Sequence, residues 1–176
     1  MRDLAIVRPP ILVLGWGNLS RADDALGPMF VTALRDTSDA NSSEYIEFLE
    51  DYQLQVEHAL DLVGRVQVLF VDASVSCAAP FEVRTVLPSR DTSYTSHALS
   101  PEALLQVFLD CEGCQPPSAT LLAIRGDSFE LGISMGASAT SNLHAALAWA
   151  RQWLAALQSG LVKRATTLPL SSSSTS

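Results

Sequence analysis

The stretch "VLGWGNLSRADDALGP", Val13 to Pro28, decides the fold of this chain. An apolar run from Ile11 to Leu14, bounded by Pro10 and Gly15, predicts a short strand covered on both faces. A glycine-rich turn follows, and then two adjacent carboxylates, Asp23 and Asp24. Pro28 has no amide hydrogen to give, so it belongs in the first turn of a helix that becomes regular near Leu26 or Gly27 and ends near Arg35. Met29, Phe30, Ala33 and Leu34 supply that helix with an apolar face. Strand, glycine turn and helix together invite a phosphate-cradle reading. The acidic pair argues against it, because it would repel a phosphate.

The rest of the chain repeats the alternation. Tyr45 to Leu49 predicts a second strand, and Val56 to Val63 part of a helix. "VQVLFV", Val66 to Val71, predicts a fully buried strand that ends at Asp72. Phe81 to Leu87 alternates like a strand with one exposed face. A polar loop follows, and Ser100-Pro101-Glu102 opens a helix through Leu109 with an N-cap serine and an N1 proline. Thr120 to Ile124 predicts another buried strand, and Ala139 to Leu157 a helix that turns Leu143, Leu147, Ala150 and Leu154 inward. The expected architecture is an α/β three-layer sandwich, a mostly parallel twisted sheet of about five strands flanked by helices. Residues 1–160 form its single domain, and 161–176, ending in a serine-rich run, form a disordered tail.

Composition narrows the function. The chain has 176 residues, 48% of them apolar, enough for one real core. Nineteen acidic against 11 basic side chains give a net charge of −8, and Lys163 is the only lysine. A chain this acidic, without a basic run, is a poor partner for nucleic acid or an anionic membrane. No signal-peptide core and no membrane-length apolar run is present, so a cytoplasmic, soluble protein is expected; a monomer is the expected oligomeric state. Cys111-Glu112-Gly113-Cys114 is formally a C-x-x-C, but it closes a helix rather than opening one, and no second pair completes a zinc site. Its expected role is structural or incidental.

In a parallel sheet the working crevice lies beyond the carboxyl ends of the strands. Asp24 follows the first strand, Asp72 ends the clearest one, and His97 lies in the polar loop before Ser100. Two carboxylates and an imidazole form an oxygen, oxygen, nitrogen donor set suited to a borderline divalent metal, with coordination positions left open. Each has a plainer reading: Asp23 as a helix cap, Asp72 as a turn residue, His97 as an exposed loop histidine. His58 and His144 fall in helical patterns and read as surface or packed histidines. Three other chemistries fit worse. A dinucleotide-binding turn wants a third glycine where Ser20 stands. A phosphoacceptor receiver domain shares the acidic pair and the strand-end aspartate, but this chain has Arg125 where that fold needs a lysine. A serine hydrolase would need a G-x-S-x-G elbow, which is absent.

With these residues in place, the sequence resembles the hydrogenase maturation endopeptidases, the family that trims the C-terminal extension of nickel-iron hydrogenase large subunits. The resemblance spans roughly Ile11 to Leu157 and is most specific in "ILVLGWGNLSRADDALGP", with the "LFVDAS" strand and the histidine ahead of a helix completing it. It implies that Asp24, Asp72 and His97 are the catalytic and metal-binding residues, with Asp23 supporting them from behind. It further implies that nickel arrives with the precursor, that the isolated protein is mostly metal-free, and that the partner is a hydrogenase large-subunit precursor. Many members carry an aspartate, two glycines and a threonine after the second strand. This chain has Glu50, Asp51, Tyr52 and Gln53, which are expected to select the substrate, a cytoplasmic NAD-linked hydrogenase being the suspected class. Two other functions remain open: a metal-dependent module that binds the precursor without cutting it, and a metal-dependent small-molecule hydrolase.

Overall fold

The computed structural model describes residues 8–90 and 99–167. Five strands form one sheet: β1 (Ile11–Trp16), β2 (Ile46–Asp51), β3 (Gln67–Ser74), β4 (Phe81–Val86) and β5 (Ser118–Arg125). Their order is β2-β1-β3-β5-β4, with β4 antiparallel to β5 and every other pair parallel. Among the described residues three α-helices complete the layers: α1 (Leu26–Asp36), α2 (Pro101–Glu112) and α3 (Ala137–Thr167). The expected α/β sandwich is therefore the observed one, with a single antiparallel edge.

Alternation along the central strands builds two cores. Ile11, Val13, Leu69, Val71, Leu122 and Ile124 face α1 and α3, where Phe30, Leu34, Leu143 and Leu147 meet them. Leu12, Leu14, Val68, Phe70 and Leu121 face the other way, against Leu62 and, from α2, Leu104, Leu105 and Phe108. Both faces are covered, which is why these strands are apolar at nearly every position. β4 is the exception. As an edge strand it exposes Glu82, Val83, Arg84 and Thr85, and charge there discourages pairing with other chains.

Several boundaries differ from the sequence reading, each for a physical reason. β3 does not end at Asp72: its ladder with β5 continues through Asp72↔Ala123 to Ser74↔Arg125. The apolar run stops at Asp72 because the crevice begins there, while the backbone pairing goes on. Val56–Leu62 is a 3₁₀ segment rather than α-helix, started by reciprocal capping between Gln55 and His58. α3 extends to Thr167, so residues 161–167, assigned to the tail by composition, continue the helix. α2 starts as read, with Ser100 Oγ accepting from the Ala103 amide at 3.2 Å. It ends on Gly113 in the left-handed conformation, φ 66°, which accounts for the glycine between Cys111 and Cys114. Both of those cysteines are exposed free thiols.

Candidate active site

The chain leaves β1 for β2 on one side and then crosses to β3 on the other, so the sheet's topological switch point lies between β1 and β3. Open α/β sheets place their ligands beyond the strand ends at that point. The residues there come from the turn after β1 and from the end of β3. Gly17 follows β1 with φ +146°, and a Cβ built on it would stand 1.9 Å from the Asp24 carbonyl oxygen. No side chain fits there, so the turn folds back tightly and carries Asp24 over the sheet edge. Asp24 Oδ2 accepts the Asn18 amide at 3.1 Å. The glycines of this turn thus make room for a carboxylate rather than cradle a phosphate.

Asp72 faces the α2 side, two residues beyond the buried Phe70. Burial pushes its carboxyl up to about 7; the Ala73 amide works against this, and the negative charge of Asp24 adds to it. Asp72 therefore senses the Asp24 charge across the switch point. Among the described residues neither forms an ion pair. A raised carboxyl beside a second carboxylate in a crevice is the electrostatic signature of a site built to receive a cation or a proton. His97 lies outside the described residues. The next described residues, Leu99 and Ser100, lead into α2. Among the described residues, no group of three potential metal ligands is assembled. The donor set on view is Asp24 and Asp72, two hard oxygen ligands that fit a divalent cation and require further donors to hold one.

Asp23 points elsewhere. It caps no helix: neither the 3₁₀ turn Ala22–Ala25 nor α1 has a side-chain cap bond. The residue is 1% exposed. Its carboxylate accepts the amides of Asp127 at 2.8 Å, Ser128 at 3.0 Å and Gly136 at 2.9 Å. Burial alone would raise its pKa, but the three amides outweigh burial and hold it below the usual carboxylate range. The expected cap is in fact an anchor for the segment after β5, whose donors lie more than 100 residues away in sequence.

The residues after β2 divide between two roles. Glu50 turns to α1, accepting from Thr32 Oγ1 at 2.9 Å and pairing with Arg35 at 3.4 Å. Tyr52 is 62% exposed, and its hydroxyl accepts from Asn18 Nδ2 at 2.9 Å, tying this segment to the β1 turn. Together Gly17, Asn18, Leu19, Glu50, Asp51 and Tyr52 line an open cavity of about 560 Å³. Gln53 is exposed and does not line it. Sequence reasoning missed a pair here. His58 Nδ1 accepts the Gln55 amide at 2.9 Å, so Nε2 carries the proton and faces Asp51 Oδ2 at 3.2 Å. The one available signal was a histidine three residues after a capping glutamine, just past a strand end.

No protein-family model matches the chain, and no curated protein matches its sequence. Solved structures do match. The hydrogenase maturating endopeptidase HybD from E. coli is 27% identical, over 85% of this chain and 93% of that one, with a TM-score of 0.62. A solution structure of an endopeptidase from Escherichia coli is also 27% identical over the same shares, with a TM-score of 0.64. This chain is similar in fold and in sequence to these endopeptidases. The [NiFe] hydrogenase maturation protease HycI from Thermococcus kodakarensis KOD1 has a TM-score of 0.65 at 16% identity, over 81% of this chain and 90% of that one. At that identity it speaks to the fold alone. In this chain the crevice between β1 and β3 brings Asp24 within electrostatic reach of Asp72, and Asp23 lies buried next to Asp24 in the same turn.

Proposed function

We propose that this protein is an endopeptidase that removes the C-terminal extension from a nickel-iron hydrogenase large-subunit precursor after nickel insertion, and that it recognises the nickel. The observation that carries the reading is the Asp24–Asp72 pair at the switch point of a fold shared with the HybD endopeptidase. A raised Asp72 carboxyl beside Asp24 is stabilised as a carboxylate by a cation, and a precursor that brings nickel to the crevice supplies one. The metal belongs to the substrate in this scheme. His97, in the segment between Arg90 and Leu99, is the third ligand proposed.

The chain's own groups define what the site can do. Asp24 is held by the Asn18 amide and by the tight Gly17 turn, so it meets an incoming ligand already oriented. With the cation present Asp72 stands as a carboxylate, able to hold the metal and to accept a hydrogen bond from a water at the scissile peptide. Nickel held between them would add Lewis-acid polarisation. None of the serines stands in a nucleophile elbow, and Cys77, the buried thiol, contacts the Ala123 carbonyl at 3.4 Å within the fold. No acyl-enzyme on a side chain is therefore proposed. Asp51 and Tyr52 line the cavity beside the turn and are the proposed contacts that select the precursor, with Glu50 supporting them from α1.

Intact-mass measurement tests the function directly. A nickel-loaded precursor should lose its C-terminal extension on incubation with this protein, and a nickel-free precursor should keep it. Binding without a mass change would instead make the protein a recognition module. Cleavage that ignores nickel would leave an ordinary peptidase.

A further inference from the structure

Seven hydrogen bonds join residues 20–23 to the segment after β5. Three end on the Asp23 carboxylate, from the amides of Asp127, Ser128 and Gly136. Three are backbone bonds: Gly132 N to Ser20 O at 2.8 Å, Ala22 N to Ile133 O at 3.1 Å, and Asp23 N to Ser128 O at 2.9 Å. The seventh runs from Arg21 Nε to the Phe129 carbonyl at 3.2 Å. Ala22, in the middle of this contact, has φ 44°, a conformation that L residues rarely adopt and that surrounding bonds must enforce. Gly126 comes so close that a Cβ there would lie 2.8 Å from the Asp23 Cβ. On the far side of the same turn, Asp24 is pressed against Gly17 and bonded to the Asn18 amide.

We infer that Asp23 is a positioning residue: its carboxylate clamps the segment after β5 onto the Ala22–Ala25 turn, and through that turn fixes where Asp24 stands in the crevice. The inference rests on the proposed role of Asp24 toward nickel. It assigns the two adjacent aspartates to opposite faces of one turn, one holding the protein and one meeting the substrate. A carboxylate is the group suited to this, because it offers two oxygens to three converging N–H donors and has no hydrogen to clash with them. Asparagine of the same size would turn an N–H₂ group toward at least one of those amides.

Hydrogen exchange on the full-length protein separates positioning from simple anchoring. The Asn18 amide donates to Asp24 and, among the described residues, has no hydrogen bond of its own to the segment after β5, so it reports on the Asp24 side of the turn. In Asp23→Asn the Gly136 and Asn18 amides should both exchange at least about tenfold faster. Nickel chloride titrated into the same variant should bind at least about fivefold more weakly than to the parent. Faster exchange at Gly136 with Asn18 within twofold of the parent would overturn the inference and leave Asp23 as a loop anchor only. Gly126→Ala provides a second approach that keeps every donor and acceptor but pushes on the Asp23 side chain. Faster Asn18 exchange there supports the positioning role, and unchanged Asn18 exchange contradicts it even if Asp23→Asn does not fold. Undiminished cleavage of nickel-loaded precursor by Asp24→Ala would sink the metal reading of Asp24, and the Asn18 amide would still decide the role of Asp23.

Discussion

Asp23 and Asp72 are both aspartates withdrawn from water near the same sheet edge, and their environments drive them in opposite directions. Around Asp23, three backbone amides converge on the carboxylate and keep it ionised despite burial. Around Asp72, burial is opposed by a single amide and reinforced by the Asp24 charge, so the carboxyl rises to about 7. The difference teaches which carboxylate is finished and which is waiting. Asp23 has its full complement of partners within the protein, whereas Asp72 and Asp24 lack a counter-charge among the described residues. A satisfied buried charge organises structure; an unsatisfied one at a crevice invites a ligand.

The largest effect expected from breaking this contrast is on activity. Asp24→Ala or Asp72→Ala should lower precursor cleavage roughly 1,000-fold, the scale of losing a group that acts in the transition state. Circular dichroism should show both variants folded. Near-parental cleavage by either would remove that residue from the site.

Stability should respond in the other sense. Asp23→Ala leaves three amides without their acceptor, at a cost of about 3 kcal/mol or more, which in a domain of this size lowers Tm by roughly 6–12 °C. Because the folded Asp23 pKa is depressed, this contribution is present above the ordinary value of 3.8 and is lost as pH falls through the folded pKa. Asp72→Asn should do the opposite. The parent is penalised for ionising Asp72, fully above about pH 7 and not at all below 3.8. The variant should therefore melt higher at pH 8, by about 2 kcal/mol once residual solvation is allowed for, and its advantage should vanish near pH 4. Thermal melts at several pH values check both signs, and a destabilised Asp72→Asn at pH 8 would reverse the reading of that residue.

The smallest effect belongs to the segment after β2. Replacing Glu50, Asp51, Tyr52 and Gln53 by aspartate, two glycines and threonine removes the Tyr52 hydroxyl from Asn18 and the Asp51 carboxylate from His58. A shift of about tenfold in preference between two classes of precursor, on the scale of small contact differences, is expected at little change in Tm. An equal loss on both precursors together with a lower Tm would mark the segment as scaffold.

Much of this was legible in the letters, for identifiable reasons. The alternation of strands and helices follows from apolar runs covered on both faces, and the Ser100-Pro101 start of α2 from local capping chemistry. Asp24 and Asp72 could be placed at one edge because topology alone brings strand ends together. Asp23 could not be assigned this way. Its partners are backbone amides more than 100 residues distant, and a backbone amide has no letter of its own. The same holds for the Asp51–His58 pair, whose tautomer depends on a bond from the Gln55 amide. β3 outlasted its apolar run because ladder pairing with β5 needs only a backbone. Serine-rich composition drew the tail boundary too early, since α3 continues to Thr167 on its helical backbone.

Carboxyl ¹³C NMR on the isolated protein, titrated from about pH 3 to pH 9, tests the central contrast most directly. The account predicts that the Asp72 carboxyl titrates near 7 and that Asp23 stays ionised down to below its ordinary value of 3.8. An Asp72 signal titrating near 4, or an Asp23 signal titrating above it, would contradict the division between the carboxylate that holds the fold and the one that awaits its ligand.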